Sequence, residues 1–144
     1  MLTMKRTDYE KILRHAEEGL PNEACGLIGG IRTGDGNAEV REVYLLTNLD
    51  ASPEHFSMDP REQLAAVKEM RAEGIQLLGN WHSHPETPSR PSEEDKRLAH
   101  DSKAWYLILS LMKPGRPVLN AFRVEDHTEV TREEITYLPE NLNA

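Results

Sequence analysis

Three consecutive segments organise this chain: Ile75–His84 (IQLLGNWHSH), Pro85–Pro91 (PETPSRP) and Ser92–Asp95 (SEED). The first is a short, largely apolar run, which predicts a buried central strand. Side chains two residues apart on a strand point to the same face of the sheet, so His82 and His84 project side by side. Two imidazoles in this arrangement can bind one metal ion.

Asp95 is the candidate third ligand. The Pro85–Pro91 segment has three prolines in seven residues, which predicts a stiff loop, and a short polar helix is predicted from Ser92 to Asp101. Such a loop can fold back and aim the first turn of the helix at the end of the strand. Two histidines and one aspartate leave a position open for water, a pattern typical of catalytic zinc. The Ser92-x-x-Asp95 spacing is also that of a helix N-cap, and the two interpretations are compatible.

A hydrolytic metal site also needs a base and a donor to the developing oxyanion. Glu23 is the candidate base, because it directly precedes a short apolar run in which a carboxylate is hard to explain as core. The alternative for Glu23 is an ordinary solvated loop residue. Ser92 is the candidate donor, and its alternative is a helix-capping role alone. We interpret Cys25 as a small buried core residue and not as a nucleophile or a fourth ligand.

Apolar residues at helical spacing predict two further helices. The first runs from Thr7 to Glu18, with Thr7 and Glu10 at the spacing of a capping box. The second runs from Pro60 to Glu73, with Asp59 as N-cap and Gly74 as the stop. Its core-facing residues are predicted to be Leu64, Val67 and Met70.

The other elements are strands, and together they predict a mixed sheet. The predicted strands are Ala24–Ile31, Glu39–Thr47, Ile75–His84, Ala104–Met112, Pro117–Glu125 and Glu129–Leu138. The order α-β-β-α-β-α-β-β-β implies an α/β fold with a mixed β-sheet flanked by helices. The length of 144 residues predicts one domain, 1–144.

The composition excludes several classes of function. Lys and Arg number 17 and Asp and Glu 25, which gives a formal net charge of −8 and disfavours nucleic acids and anionic membranes as partners. No apolar run approaches the ~20 residues of a membrane span. The first residues, MLTMKRTDYEK, lack the apolar core of a secretory signal, so we expect a cytoplasmic protein. The single cysteine excludes an intramolecular disulfide and a Cys-rich zinc finger.

Taken together, Glu23, His82-Ser83-His84-Pro85, Ser92 and Asp95 resemble the motif of the JAMM (MPN-plus; Mov34/MPN/PAD-1) zinc metallopeptidases. That motif is a glutamate, then H-x-H, a spacer, and S-x-x-D. The segments Pro21–Leu27 and Thr47–Phe56 are similar to those of the small stand-alone bacterial members. The resemblance is to the peptidases that release cysteine from a ubiquitin-like sulfur-carrier protein.

This resemblance implies a cytidine-deaminase-like fold and one Zn²⁺ per chain. It implies that His82, His84 and Asp95 bind the zinc, that Glu23 acts as general base and then general acid, and that Ser92 stabilises the oxyanion. The implied substrate is the peptide or isopeptide bond after the C-terminal glycine of a ubiquitin-like carrier, with a carrier tail as partner. Two alternatives stay open, a zinc amidohydrolase of a small metabolite and a non-catalytic MPN scaffold, and so does a homodimer.

Overall fold

The computed structural model describes residues 1–139, and its strands form one mixed sheet. The helices are α1 (Arg6–Gly19), α2 (Pro60–Glu73) and α3 (Glu93–Leu98). The strands are β1 (Leu2–Lys5), β2 (Cys25–Gly34), β3 (Asn37–Leu46), β4 (Gln76–His84), β5 (Trp105–Ser110), β6 (Val118–Glu125), β7 (Glu129–Glu133) and β8 (Ile135–Leu138). The prediction of a mixed sheet flanked by helices is therefore confirmed. No helix within residues 1–139 is long and apolar enough to cross a membrane.

The sheet has the strand order β7-β6-β5-β4-β2-β3-β1-β8. Strand β4, which carries both histidines, lies at the centre, antiparallel to β2 and parallel to β5. The parallel β4–β5 connection contains α3, so the fold itself returns this helix to the sheet after β4 ends. The expected central position of the histidine strand is confirmed.

The two long helices cover opposite faces of the sheet. Ile28 belongs to the larger core cluster, which contains Ile12 of α1 and Trp81 of β4. The preceding residue, Leu27, belongs to a second cluster with Met70 of α2. Because neighbouring residues of a strand face opposite sides, this division places α1 and α2 on different faces.

Strand β2 approaches Trp81 closely at Gly26. The Trp81 indole Nε1 donates to the backbone oxygen of Tyr44, at 3.2 Å, and a β-carbon on Gly26 would collide with both groups. A glycine is therefore required at this crossing.

The structure confirms the limits of α2 but corrects its core-facing side. The Asp59 side chain accepts from the Arg61 N–H at 2.8 Å, and Gly74 ends the helix with a left-handed φ of 74°. The inward position predicted for Leu64 is wrong, because this side chain is 56% exposed. The buried residues of α2 are Ala66 and Met70.

The N-terminal prediction is wrong in two respects. Residues Leu2–Lys5 form strand β1, which is not among the predicted elements. Helix α1 then begins at Arg6 with Lys5 at the N-cap position and no side-chain cap, so the predicted capping box of Thr7 and Glu10 does not form.

The sequence predicts one last strand over Glu129–Leu138, but the structure has two strands there, β7 and β8, at opposite edges of the sheet. Strand β7 pairs with β6, whereas β8 pairs in parallel with β1. A single residue, Glu134, lies between them, and its backbone oxygen accepts from Leu2 N–H at 2.8 Å. One residue spans only about 3.3 Å along a strand, so the two edges must approach each other and the sheet must curl.

Candidate active site

His82 and His84 lie at the carboxyl end of β4, and both are almost completely buried, at 3% and 5% exposure. They share the sheet face opposite Trp81, as predicted from their spacing. Ser83 points the other way, where its hydroxyl accepts from the Ala24 N–H at 2.8 Å. The Ser83 N–H in turn donates to the Ala24 backbone oxygen at 3.0 Å. This pair of bonds holds the residue that follows Glu23 against the end of β4.

The orientation of His84 is set by the loop that follows β4. His84 Nδ1 lies 2.9 Å from the backbone oxygen of Pro88, which can only accept, so Nδ1 carries the proton. The other ring nitrogen, Nε2, is then directed at Asp95, at 3.1 Å from its Oδ2. A ligand histidine fixed by a carbonyl in this way is a recurrent feature of metal sites.

His82 is held by a ring contact instead. The Phe56 ring stacks on the imidazole with a centroid separation of 4.7 Å and an interplanar angle of 24°. His82 Nε2 faces the neighbouring ligand atoms, whereas its buried Nδ1 has no partner within residues 1–139.

Asp95 reaches the histidines from the first turn of α3. Ser92 caps this helix by accepting from Asp95 N–H at 3.0 Å, and the Ser92 N–H donates to Asp95 Oδ2 at 2.9 Å. This capping box confirms the N-cap interpretation, and the same Oδ2 also faces both imidazoles, which is compatible with the metal-ligand interpretation. Burial opposes ionisation of Asp95, but its hydrogen bonds with His82 and His84 outweigh burial and hold the pKa of the carboxyl well below its usual range.

The three candidate ligand atoms form a nearly equilateral triangle that fits a metal ion. His82 Nε2 is 3.1 Å from His84 Nε2, and Asp95 Oδ2 is 3.2 Å and 3.1 Å from these two nitrogens. Ligands about 2.0–2.1 Å from a tetrahedral zinc lie about 3.3 Å from one another. Because Nδ1 of His84 donates to Pro88 O, Nε2 is the ring nitrogen whose lone pair a bound metal would use. This donor set and spacing are therefore compatible with a divalent metal.

Glu23 lies beside this triangle, in the segment that leads into β2. Its backbone is fixed at both ends, since its N–H donates to Ser52 O at 2.8 Å and its oxygen accepts from Asn48 Nδ2 at 2.9 Å. The side chain is only 7% exposed. Burial raises the pKa of the Glu23 carboxyl to about 8, with His84 opposing and the Asp95 charge reinforcing the shift. The solvated alternative for this residue is therefore wrong.

A cleft of about 380 Å³ joins the candidate residues. Glu23, His84 and Ser92 all line it, so the structure brings every predicted site residue to one place. The cleft walls include Pro53–His55 of one loop and Glu86 and Thr87 of the next, and Glu93 and Glu94 of α3 also line the cleft. On the other side of the triangle, His82 and Asp95 border an apolar groove that contains Phe56, Leu98 and Tyr106.

Sequence reasoning did not identify the roles of Pro88 and Phe56. Pro88 acts through a backbone carbonyl, which any residue possesses, so its side chain gives no signal. Phe56 lies 26 positions before the histidine on which it stacks, and no periodicity connects them. Cys25 is buried, as predicted for a core residue.

Comparisons with known proteins agree with this site. The family profile described as prokaryotic homologs of the JAB domain matches residues 6–125. A CysO-cysteine peptidase from Mycobacterium tuberculosis is 31% identical over 144 aligned positions, covering 94% of this chain and 96% of the relative. A desampylase from Haloferax volcanii is 31% identical over 111 positions, covering 76% of this chain and 80% of the relative.

The similarity extends to a solved structure. The solution structure of a protein from Desulfitobacterium hafniense has a TM-score of 0.88 and 55% identity, covering 99% of this chain and 96% of that one. The family match includes both Glu23 and the segment from His82 to Asp95. This chain therefore belongs to the prokaryotic JAB-domain family and is a hydrolase of the JAMM type.

Proposed function

We propose that this protein is a zinc metallopeptidase that hydrolyses the amide bond after the C-terminal glycine of a ubiquitin-like sulfur-carrier protein. The observation that carries the proposal is the convergence of three ligand atoms beside a buried carboxylate and a serine hydroxyl in one cleft. The names of the two relatives, a CysO-cysteine peptidase and a desampylase, support a protein substrate.

His82, His84 and Asp95 would hold the metal, through Nε2, Nε2 and Oδ2. Two imidazoles and one carboxylate suit zinc, and the triangle leaves one side open toward the cleft. A zinc ion bound there supplies Lewis acidity, which polarises an amide carbonyl and lowers the pKa of a water molecule toward 7.

Glu23 is proposed to move the proton. Its carboxylate accepts a proton from the attacking water and then donates that proton to the leaving nitrogen as the carbon–nitrogen bond breaks. In the metal-free protein the raised pKa of Glu23, about 8, lies near neutral pH, where a carboxyl group can release and take up a proton at little cost.

Ser92 is proposed to bind the carbonyl oxygen as negative charge develops on it. The Ser92 Oγ accepts a hydrogen bond from Asp95 N–H, so its own hydrogen remains available to donate into the cleft. Removal of such a donor typically lowers kcat by a factor on the order of 10²–10³.

The carrier tail is proposed to approach in extended form along the apolar groove. This groove contains Phe56, Leu98 and Tyr106 and ends at His82 and Asp95. Leu98 is 51% exposed although it borders the site, which leaves apolar surface for a substrate to cover.

The test is intact-mass analysis of two carrier substrates, one extended by a C-terminal cysteine and one linked through its glycine to a lysine side chain. The zinc-loaded protein should convert at least one of them to the free carrier, and a chelator should prevent the conversion. If the zinc-loaded protein cleaves neither carrier substrate but hydrolyses small amides, the amidohydrolase alternative is correct. Absence of cleavage and of bound metal would favour the scaffold.

Three further properties remain predictions of this proposal: a single metallopeptidase domain over 1–144, a cytoplasmic location and a homodimer. The first is supported by the curled sheet, in which β1 and β8 pair although they lie at opposite ends of the described chain. Light scattering of the purified protein measures the oligomeric state directly.

A further inference from the structure

The two sides of the metal triangle differ in chemistry. His82 and Asp95 border the apolar groove, whereas His84 and Ser92 border the cleft that contains Glu23. A hydrolase of this kind must place the acyl part of its substrate on one side and the leaving amine on the other. The difference in lining therefore separates the two binding regions.

The proton transfer decides which side receives the leaving amine. Glu23 must lie within hydrogen-bonding distance of the nitrogen to which it donates. It lines the acidic cleft together with His84 and Ser92, and it does not border the apolar groove. The acidic cleft is therefore the leaving-group side, and the groove is the acyl side.

The charge of this cleft is strongly one-sided. Its lining contains five carboxylates, Glu23, Glu54, Glu86, Glu93 and Glu94, and no lysine or arginine. Two of the five have basic partners: Glu93 pairs with Lys96 at 3.1 Å, and Glu94 pairs with His55, which also lines the cleft, at 2.6 Å and with Arg97 at 3.5 Å.

The other three carboxylates have no side-chain partner within residues 1–139. Glu54 and Glu86 are exposed at the mouth of the cleft, one from each of the two loops that wall it. Glu23, at 7% exposure, is buried at its inner end. A buried acid facing the same space as two unpaired rim carboxylates indicates a cleft that receives a hydrogen-bond donor carrying positive charge.

We propose that Glu54 and Glu86 are specificity determinants that favour a leaving amine embedded in a basic peptide segment over a leaving amino acid with a free α-carboxylate. This inference rests on the proposed function and deepens it. One water is added across the carbon–nitrogen bond: the acyl tail leaves as a carboxylate, and the amine receives its proton from Glu23. Free cysteine would carry its α-carboxylate into a cleft that offers it no lysine or arginine.

The expected size of the effect follows from the exposure of both residues. Exposed ion pairs contribute little each, so we expect the two carboxylates together to give about a three- to tenfold preference in kcat/KM at low ionic strength. Raising the salt concentration to about 0.5 M should reduce this preference, because salt screens interactions between exposed charges.

The experiment compares substrates that share one glycine-terminated carrier and differ in the leaving group. The first leaving group is a peptide in which arginines flank the linked lysine. The second is the same peptide with glutamates in place of the arginines, and the third is free cysteine. The wild-type protein should cleave the arginine-flanked substrate with the highest kcat/KM. In Glu54→Gln/Glu86→Gln, the ratio between the arginine-flanked and glutamate-flanked substrates should fall toward one.

The matched control is Glu10→Gln/Glu69→Gln, which removes the same charge from exposed positions on α1 and α2 and should keep the wild-type ratio. A wild-type preference for free cysteine overturns the inference, as does a ratio that the rim variant leaves unchanged. Either result leaves the proposed function intact, since cleavage has occurred. Failure to cleave any of the three substrates contradicts the proposed function instead.

Discussion

Two carboxylates in this site have opposite protonation behaviour, and their surroundings explain it. Asp95 faces two imidazoles and accepts from the Ser92 N–H, so its pKa lies well below the usual range despite burial. Glu23 lies in the same site but has no donor to its side chain within the described residues, so burial raises its pKa to about 8. The difference between the pKa values of the two acids suits different functions, metal binding for Asp95 and proton transfer for Glu23.

Replacement of Glu23 by glutamine tests the second task. The amide keeps the size of the side chain but cannot accept and return a proton, so we expect kcat to fall by about 10²–10⁴. Metal content should stay at that of the wild type, because Glu23 is not in the ligand triangle. Glu18→Gln, which changes a nearby carboxylate outside the acidic cleft, is the control. Wild-type turnover in Glu23→Gln would remove the residue from the mechanism.

The raised pKa of Glu23 also predicts how the stability of the metal-free protein depends on pH. The folded state holds this proton up to about pH 8, whereas an ordinary glutamate releases it near 4.5. Between these values the folded state binds more protons than the unfolded state, so this group lowers the free energy of unfolding as pH rises.

In metal-free protein, Glu23→Gln should therefore be more stable than the wild type at pH 8, by on the order of 2–4 kcal/mol. The difference should shrink below about 1 kcal/mol near pH 5. Urea denaturation of both proteins at the two pH values measures it. A stability difference that does not change with pH would show that Glu23 titrates normally.

Ser92 has two functions, the proposed oxyanion donation and the capping of α3, and replacement by alanine removes both. Ser92→Ala removes the proposed oxyanion donor, so we expect kcat/KM to fall by about 10²–10³ while activity stays measurable. It also removes the helix cap, which costs about 1 kcal/mol of stability. Ser92→Thr keeps a hydroxyl for both functions and should recover most of the activity. If metal-loaded Ser92→Ala is as active as the wild type, the donor is another group.

Among the elements, the Pro85–Pro91 loop has the greatest influence on the site. The Ser110 hydroxyl donates to Thr87 O and the Ser89 hydroxyl donates to Ile108 O, both at 2.6 Å. These bonds attach the loop to β5, and the loop in turn presents Pro88 O to His84. The orientation of a metal ligand thus depends on a hydrogen bond made by a neighbouring strand.

Ser110→Ala tests this dependence. Loss of the bond to Thr87 should loosen the loop and weaken metal binding by about tenfold, as for other groups that support a ligand indirectly. Competition with a fluorescent chelator gives the dissociation constant. Ser102→Ala, at an exposed position before β5, should bind metal as tightly as the wild type. Equal affinities for Ser110→Ala and the wild type would show that the Ser110 hydrogen bond is not needed to orient His84.

The elements that could be predicted are those whose limits have a local chemical cause. Helix α2 has Asp59 and Gly74 at its ends, and the histidine strand is a short, largely apolar run. Strand β1 could not be predicted, because four residues directly before a helix are too short to show a period. The break at Glu134 has no turn residue and follows only from which edges the two strands pair with.

The error at Leu64 has a geometric cause. Residues 64, 67 and 70 follow a spacing of three, which drifts around a helix of 3.6 residues per turn. Leu64 lies about 120° around the axis from Met70, the centre of the buried side. For the site, the motif identified the ligands, but the roles of Phe56 and Pro88 depend on tertiary contacts that no local pattern encodes.

At the scale of the whole molecule, the ligands come from two elements that the chain connects only through a loop. His82 and His84 end the central strand β4, and Asp95 begins α3. A bound metal therefore joins the sheet to the helix, and this link is absent from an unfolded chain. Metal binding should consequently stabilise the whole fold.

We therefore expect zinc to raise the melting temperature of the metal-free protein by about 5–10 °C when it is present at about 100 times its dissociation constant. That concentration contributes about 2.7 kcal/mol to the free energy of unfolding. Differential scanning fluorimetry, with and without a chelator, measures the shift.

His82→Ala should abolish most of the zinc-dependent shift in melting temperature, since only two ligands remain. Glu23→Gln should keep it, and so should His100→Ala, because the His100 ring is exposed and contacts His127 instead of the site. An equal shift in wild type and His82→Ala would place the stabilising metal at another position in the molecule.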